Sequence, residues 1–211
     1  MGGVTEVNDL DSIESKFLIQ TRYDRNIIVG VPHHAPVGVD KLPCGRYSDE
    51  NTGYLGQYLA EKLRCCSIIA CNYTIDVNKS MDNEYVQQVL QWDPKVYVEI
   101  HGHKRKRSKN DIEITCGSLE RNEYSLTLAE KLQEKCRNDN ELKWLKICGD
   151  FETIFFKART AKTMQHNGWL GILLELPPEL RYIKGQKGGQ PPKIGYKFCD
   201  YLVESLTSIQ N

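Results

Sequence analysis

Four short runs of this chain, residues 27–31, 66–71, 96–100 and 171–176, are apolar at nearly every position. Short apolar runs without alternation fit strands buried on both faces, and helices covering a largely parallel sheet provide that burial. The segments between the first three runs have helical spacing. Leu55, Leu59 and Leu63, with Tyr58 and Ala60, form one stripe; Tyr85, Val86, Val89 and Leu90 form another, closed by Asp93 and Pro94. The order strand, helix, strand, helix, strand predicts an α/β fold with parallel members and right-handed crossovers. Ligands of such sheets gather at the carboxyl ends of the strands.

The remaining segments fill in around that frame. Residues 1–15 are polar and irregular. Phe17, Leu18 and Ile19 open an edge strand, and 23–26 read as a turn. Pro36, Pro43 and Gly45 make 35–48 a loop, and 48–51 have the composition of a helix start. Residues 111–116 alternate as a half-buried strand, and 125–136 form an amphipathic helix on Leu126, Leu128, Ala129 and Leu132. A short helix is expected over 160–167, a Gly/Pro-rich loop over 185–192 and a closing amphipathic helix over 194–209. Residues 144–156 mix aromatic and β-branched side chains and fit neither period. No repeat or linker divides the chain, so residues 1–211 are expected to form one domain.

Composition narrows the partners. Lys+Arg and Asp+Glu balance at 28 each, so no overall field draws nucleic acid or anionic membrane. No apolar run approaches the roughly 20 residues that span a bilayer. The amino terminus lacks the basic and apolar regions of a signal peptide and the myristoylation pattern, so a cytoplasmic location is expected. The eight cysteines contain no C-x-x-C pair and read as free, buried thiols. The one dense charge run, 104–109, reads as a solvated loop; its sharper readings are a rim attracting anionic substrate or a contact with a polyanion.

Four of the five histidines stand in two close pairs, His33 with His34 and His101 with His103, each just beyond a buried strand. Two strand ends that both deliver imidazole suggest a single metal site at one sheet edge. A catalytic zinc takes three nitrogen or oxygen ligands and keeps one position open. His33 offers one ligand, His101 another, and Asp49 or Glu50 a carboxylate, although Asp49 also suits a helix N-cap. Glu175 interrupts the apolar run that ends at Pro177 and Pro178. A buried carboxylate there rises in pKa unless it is paired, which suits a general base; a salt bridge to Arg181 is the plainer alternative. Asn78 and Lys79 follow the second strand side by side and can meet a substrate carboxylate.

Taken together, these residues resemble the N-formylglutamate amidohydrolase family. The resemblance lies in Val31-Pro32-His33, Asp49-Glu50-Asn51-Thr52 with Leu55, Asp76-Val77-Asn78-Lys79, Val98-Glu99-Ile100-His101-Gly102 and Leu173-Leu174-Glu175-Leu176, in family order. It implies a zinc carboxypeptidase-like (phosphorylase/hydrolase-like) fold: one three-layer α/β/α domain with a mixed, largely parallel sheet. It also implies one zinc ion per chain held by His33, Asp49 and His101, in preference to His34, Glu50 and His103. Glu175 is then the general base, and Asn78 and Lys79, with Arg181, hold a carboxylate of the substrate. Lys79 replaces the family's arginine, and so supplies a point charge in place of a bidentate fork. The implied activity is hydrolysis of an amide in an N-acyl amino acid or a similar small carboxylate-bearing substrate. The alternatives are a carboxypeptidase or γ-glutamyl hydrolase on the same scaffold, or a metal- or ligand-binding protein without turnover.

Overall fold

A computed structural model of the chain describes residues 10–105, 107–185 and 188–207. The four apolar runs are neighbours in one sheet. In chain order its strands are β1 (Lys16–Gln20), β2 (Asp24–Ala35), β3 (Asp49–Glu50), β4 (Cys65–Cys71), β5 (Val96–Gly102), β6 (Ile112–Thr115), β7 (Ile147–Cys148) and β8 (Leu170–Leu176). They lie in the order β1-β4-β2-β5-β8-β6-β7, with β3 paired to β2 beside that path. β4, β2, β5 and β8 are mutually parallel; β1 and β6 join them antiparallel.

Helices α1 (Thr52–Leu63), α2 (Glu84–Trp92), α3 (Asn122–Arg137), α4 (Lys162–Gln165), α5 (Pro178–Arg181) and α6 (Lys193–Thr207) complete the fold. The sheet separates two apolar cores. On one face Val29, Val31, Val98, Ile100, Ile172 and Leu174 pack against α1, α3 and α6. On the other, Ile28, Ile68, Tyr97 and Leu173 meet Tyr85, Val86 and Val89 of α2 and Met164 of α4. The expected three-layer α/β/α arrangement with a mixed, mostly parallel sheet is therefore found. From β2 the chain crosses over α1 to β4 on one side, then returns over α2 to β5 on the other. Crossovers of one hand running in opposite directions put α1 and α2 on opposite faces.

Some local expectations shift. The turn at 23–26 is largely absorbed into β2, which starts at Asp24. The helix start expected at 48–51 is instead the two-residue β3, and α1 begins at Thr52 behind Asn51, whose φ is 62°. The short helix over 160–167 is a single turn, and 144–156 contributes β7 within turns. Residues 1–9 and the last residues of the expected closing helix lie outside the described residues. Among the described residues no helix is long and apolar enough to cross a membrane. All eight cysteines are free, six of them buried.

Two glycines are required by close approach. Gly30 of β2 lies beneath the Tyr85 and Tyr97 hydroxyls, which hydrogen-bond each other at 2.9 Å, and a Cβ at Gly30 would collide with the Tyr97 hydroxyl. Gly30→Ala overpacks a fully buried polar pair and is expected to cost about 3 kcal/mol. Urea unfolding would show this as a lower midpoint; an unchanged midpoint would refute the crowding. Gly53 of α1 plays the same part for the His34 ring, which a Cβ would meet at 2.7 Å.

Candidate metal centre

The carboxyl ends of β2, β5 and β8 bring His33, His101 and Glu175 to one place, but straight strands alone would not do so. Val31 of β2 pairs with Ile69 and His34 pairs with Cys71, so β2 advances three residues while β4 advances two. Such a bulge reverses the alternation of side chains beyond it. Val31 and His34 consequently both face α1, against Gly56 and Gly53, and His33 turns to the opposite face beside His101. Past the bulge, β3 pairs in parallel with His34 and Ala35, which carries Asp49 to the same spot.

His101 Nδ1 stands 2.9 Å and His33 Nδ1 3.5 Å from Asp49 Oδ2. One ligand atom from each of these three buried residues falls within 4.8 Å of the others, close enough to hold one metal ion. The far side of each ring is anchored. His33 Nε2 donates to Asp76 Oδ1 at 2.8 Å, and Asp76 Oδ2 pairs with Arg46 at 3.1 Å. His101 Nε2 donates to Glu99 Oε1 at 2.6 Å. Glu99 has no exposed surface and also accepts from Asn78 Nδ2 at 2.8 Å and Thr163 Oγ1 at 2.6 Å. A carboxylate on Nε2 fixes that nitrogen as an N–H and aims Nδ1 at the shared point, where a metal ion would displace the proton that Nδ1 shares with Asp49, the arrangement metal-bound histidines require.

The charges agree with this geometry. Burial disfavours charge at Asp49, yet hydrogen bonds from His101 and His33 hold its carboxyl well below the usual range. Burial likewise opposes protonation of both imidazoles, but Asp49 with Asp76 raises His33, and Asp49 with Glu99 raises His101 far above the ordinary value. Three carboxylates around two imidazoles make a site that demands positive charge, and a divalent cation meets that demand. Asp76→Asn and Glu99→Gln leave His33, Asp49 and His101 in place but weaken the anchors. Each is expected to lower metal affinity about 10–100-fold, measured by competition with a chromogenic chelator. Unchanged affinity in both would mean that the anchors do not tune the site.

Glu175 lies beside His101 in the β5–β8 ladder and lines the same cavity, which measures about 1140 Å³. Burial, opposed by His101, pushes its carboxyl up to about 7. Among the described residues no hydrogen-bond donor occupies that carboxyl. It is free to exchange a proton near neutral pH, as a general base does.

The remaining candidates divide. Lys79 lines the cavity and donates to Thr160 Oγ1 at 2.9 Å. Asn78 also lines it, but its amide N–H is held by Glu99, and the buried Oδ1 is the atom without a partner among the described residues. It therefore offers an acceptor where a donor for a carboxylate was expected. Arg181, expected with them, is 1% exposed and lies off the cavity wall. Its guanidinium donates to the carbonyls of Glu50 at 2.7 Å, His103 at 3.0 Å and Leu176 at 3.3 Å, in space left by Gly102. It ties three segments together beneath the site. The salt bridge that Glu175 was weighed against is likewise absent among the described residues.

The second members of each pair are structural. His34 donates to the Leu10 carbonyl and accepts from Gly53 N–H, and burial lowers it to about 4, so it is neutral. Glu50 accepts from Gly38 N–H at 2.8 Å. His103 bridges Asp111 O and Arg105 N–H under Phe156. Of the anchors, Asp76 and Glu99 stood in the motif blocks without an assigned role, and Thr163 was not singled out from sequence. Glu99 carried the same signal as Glu175, a carboxylate inside an apolar run.

No family model and no curated protein matches this sequence. Solved structures share its fold. A bacteriophage poly-gamma-glutamate hydrolase is 12% identical, over 97% of this chain and 94% of that one, with a TM-score of 0.56. An N-formylglutamate amidohydrolase from Ralstonia eutropha JMP134 is 10% identical, over 92% and 96%, with a TM-score of 0.54. A gene product of Agrobacterium tumefaciens is 13% identical, over 96% and 98%, with a TM-score of 0.55. At these identities the likeness is one of fold, and it is the fold the sequence resemblance implied.

Proposed function

We propose that this protein is a zinc-dependent amidohydrolase acting on an N-acyl amino acid or a similar carboxylate-bearing amide. The observation that carries the reading is the meeting of His33, Asp49 and His101 at one point with an unpartnered Glu175 on the same cavity wall. The donor set suits zinc: two imidazoles and one carboxylate, with both imidazole tautomers fixed from behind. Two proteins of the same fold are named for hydrolysis, of poly-gamma-glutamate and of N-formylglutamate.

Bound there, zinc would supply Lewis acidity, lowering the pKa of water to about 7 and drawing charge onto the carbonyl oxygen. Glu175 removes the proton from the attacking water and returns it to the departing nitrogen as the C–N bond breaks. Its raised pKa suits both halves of that transfer, since a strongly acidic carboxyl would be a poor donor to nitrogen. Asn78 Oδ1 accepts an N–H of the substrate, the complement of its orphaned carbonyl. Lys79 Nζ takes the substrate carboxylate as a point charge. Asp76 and Glu99 hold the imidazoles in register.

A panel of N-formyl and N-acetyl glutamate, aspartate and glycine, supplied with one equivalent of zinc, tests the proposal. Release of the free amino acid from the dicarboxylates is expected. One bound zinc per chain with no turnover of any member would replace the enzyme with a metal-binding protein.

A further inference from the structure

The chain has no net charge, yet the walls of the metal-centre cavity are strongly cationic. Eight lysines and arginines line the cavity against three carboxylates, Asp40, Asp49 and Glu175, an excess of five positive charges. Four separate segments deliver them. Lys41 and Arg46 come from the loop before β3, and Lys79 from the segment after β4. Lys104, Arg105 and Arg107 come from the loop after β5, Lys157 and Arg159 from the stretch before α4. Only the third segment shows as a charge run in the sequence. Part of this charge is already answered: Lys104 pairs with Asp40, Arg105 with Asp111 and Glu179, and Arg46 with Asp76. Lys41, Lys79, Arg107, Lys157 and Arg159 have no carboxylate partner among the described residues.

One small substrate carboxylate needs one cation, and Lys79 beside the metal ligands supplies it. Four more unpaired cations along a cavity of about 1140 Å³ suit a longer ligand with negative charge at intervals. We propose that the substrate is an acidic oligomer, a chain of amide-linked residues bearing several carboxylates, laid along the cleft with one amide at the metal centre. This rests on the hydrolase reading for the position of the cleaved amide, but the charge argument stands apart from it. Nucleic acid is the less favoured polyanion, because its sugar-phosphate backbone carries no amide to set at the metal centre.

Binding to zinc-loaded Glu175→Gln, measured by fluorescence anisotropy, tests the inference without consuming the probe. The probes are labelled decaglutamates, one α-linked and one γ-linked, with unlabelled N-acetylglutamate and an oligodeoxynucleotide of equal charge as competitors. At least one decamer is expected to bind ten times more tightly than N-acetylglutamate, and to weaken severalfold between 50 and 200 mM salt. Whichever linkage binds more tightly identifies the source of the chain. Adding Arg107→Gln, Lys157→Gln and Arg159→Gln should remove most of the decamer's advantage while leaving N-acetylglutamate affinity unchanged, with thermal melting confirming that the variant folds. Equal affinities, a variant without effect, or tighter binding of the oligodeoxynucleotide would overturn the proposal. Wild-type turnover is read separately. Tight decamer binding without cleavage would refute the hydrolase and leave the acidic-chain site standing.

Discussion

Glu175→Gln is expected to lower turnover by about 10²–10⁴-fold while one zinc per chain remains bound. Glutamine keeps the size of the side chain and a polar tip but neither takes nor gives a proton. The same substitution should raise stability. The folded protein holds the Glu175 proton up to about pH 7, above the ordinary value of 4.5. Whatever stability this group contributes is fully present below pH 4.5 and is lost as pH rises through 7, where a buried carboxylate must ionise. Metal-free Glu175→Gln should therefore match wild type at low pH. It should pull ahead between pH 4.5 and 7 and stay on the order of 2 kcal/mol more stable at pH 8. Urea melts at pH 4.5 and 8 measure this gap. A variant that loses zinc with its activity would make Glu175 a ligand, and a gap independent of pH would remove the titration argument.

Loss of an imidazole should be more severe. His33→Ala and His101→Ala each take one of the three proposed ligands, so zinc content measured after dialysis should fall to near zero in both, with activity following. The two differ in what they leave behind. Asp76 keeps Arg46 when His33 is gone. Glu99, with no exposed surface, keeps the Asn78 and Thr163 hydrogen bonds when His101 is gone, but loses its imidazolium partner. Stranding a buried carboxylate costs about 3–5 kcal/mol. In chelator, His101→Ala should therefore unfold at clearly lower urea than His33→Ala. Equal midpoints would mean that Glu99 relaxes or protonates without penalty, and full zinc in both variants would end the metal-centre reading.

What could be read from the sequence follows from physical range. The buried strands announced themselves because each is continuous and covered on both faces. α1, α2, α3 and α6 did so because each carries one apolar stripe. β3 did not: two residues carry no period, and its existence depends on β2 presenting a free edge past the bulge. Histidine pairs at strand ends were visible as composition, but the choice between members needed the resemblance, since the bulge has no glycine to mark it. Arg181 could not be placed, because its three carbonyl partners come from distant segments and backbone oxygens leave no trace in side-chain pattern. The cationic lining was hidden for the same reason, with charges from four segments meeting only after folding. Asn78 was legible as a residue of the cavity but not in its polarity, which Glu99 sets.

The extra residue in β2 also bears on how such a centre tolerates change. Side-chain facing in a strand is binary, so straightening the bulge without losing a residue exchanges the faces of everything beyond it. Most strand ends would lose a cavity-facing imidazole in that exchange. Here the neighbouring position is also histidine: a straightened β2 would send His34 to the cavity and His33 to the recess over Gly53. Adjacent imidazoles thus give this strand end a spare, keeping an imidazole at the cavity across a register slip that would erase it elsewhere.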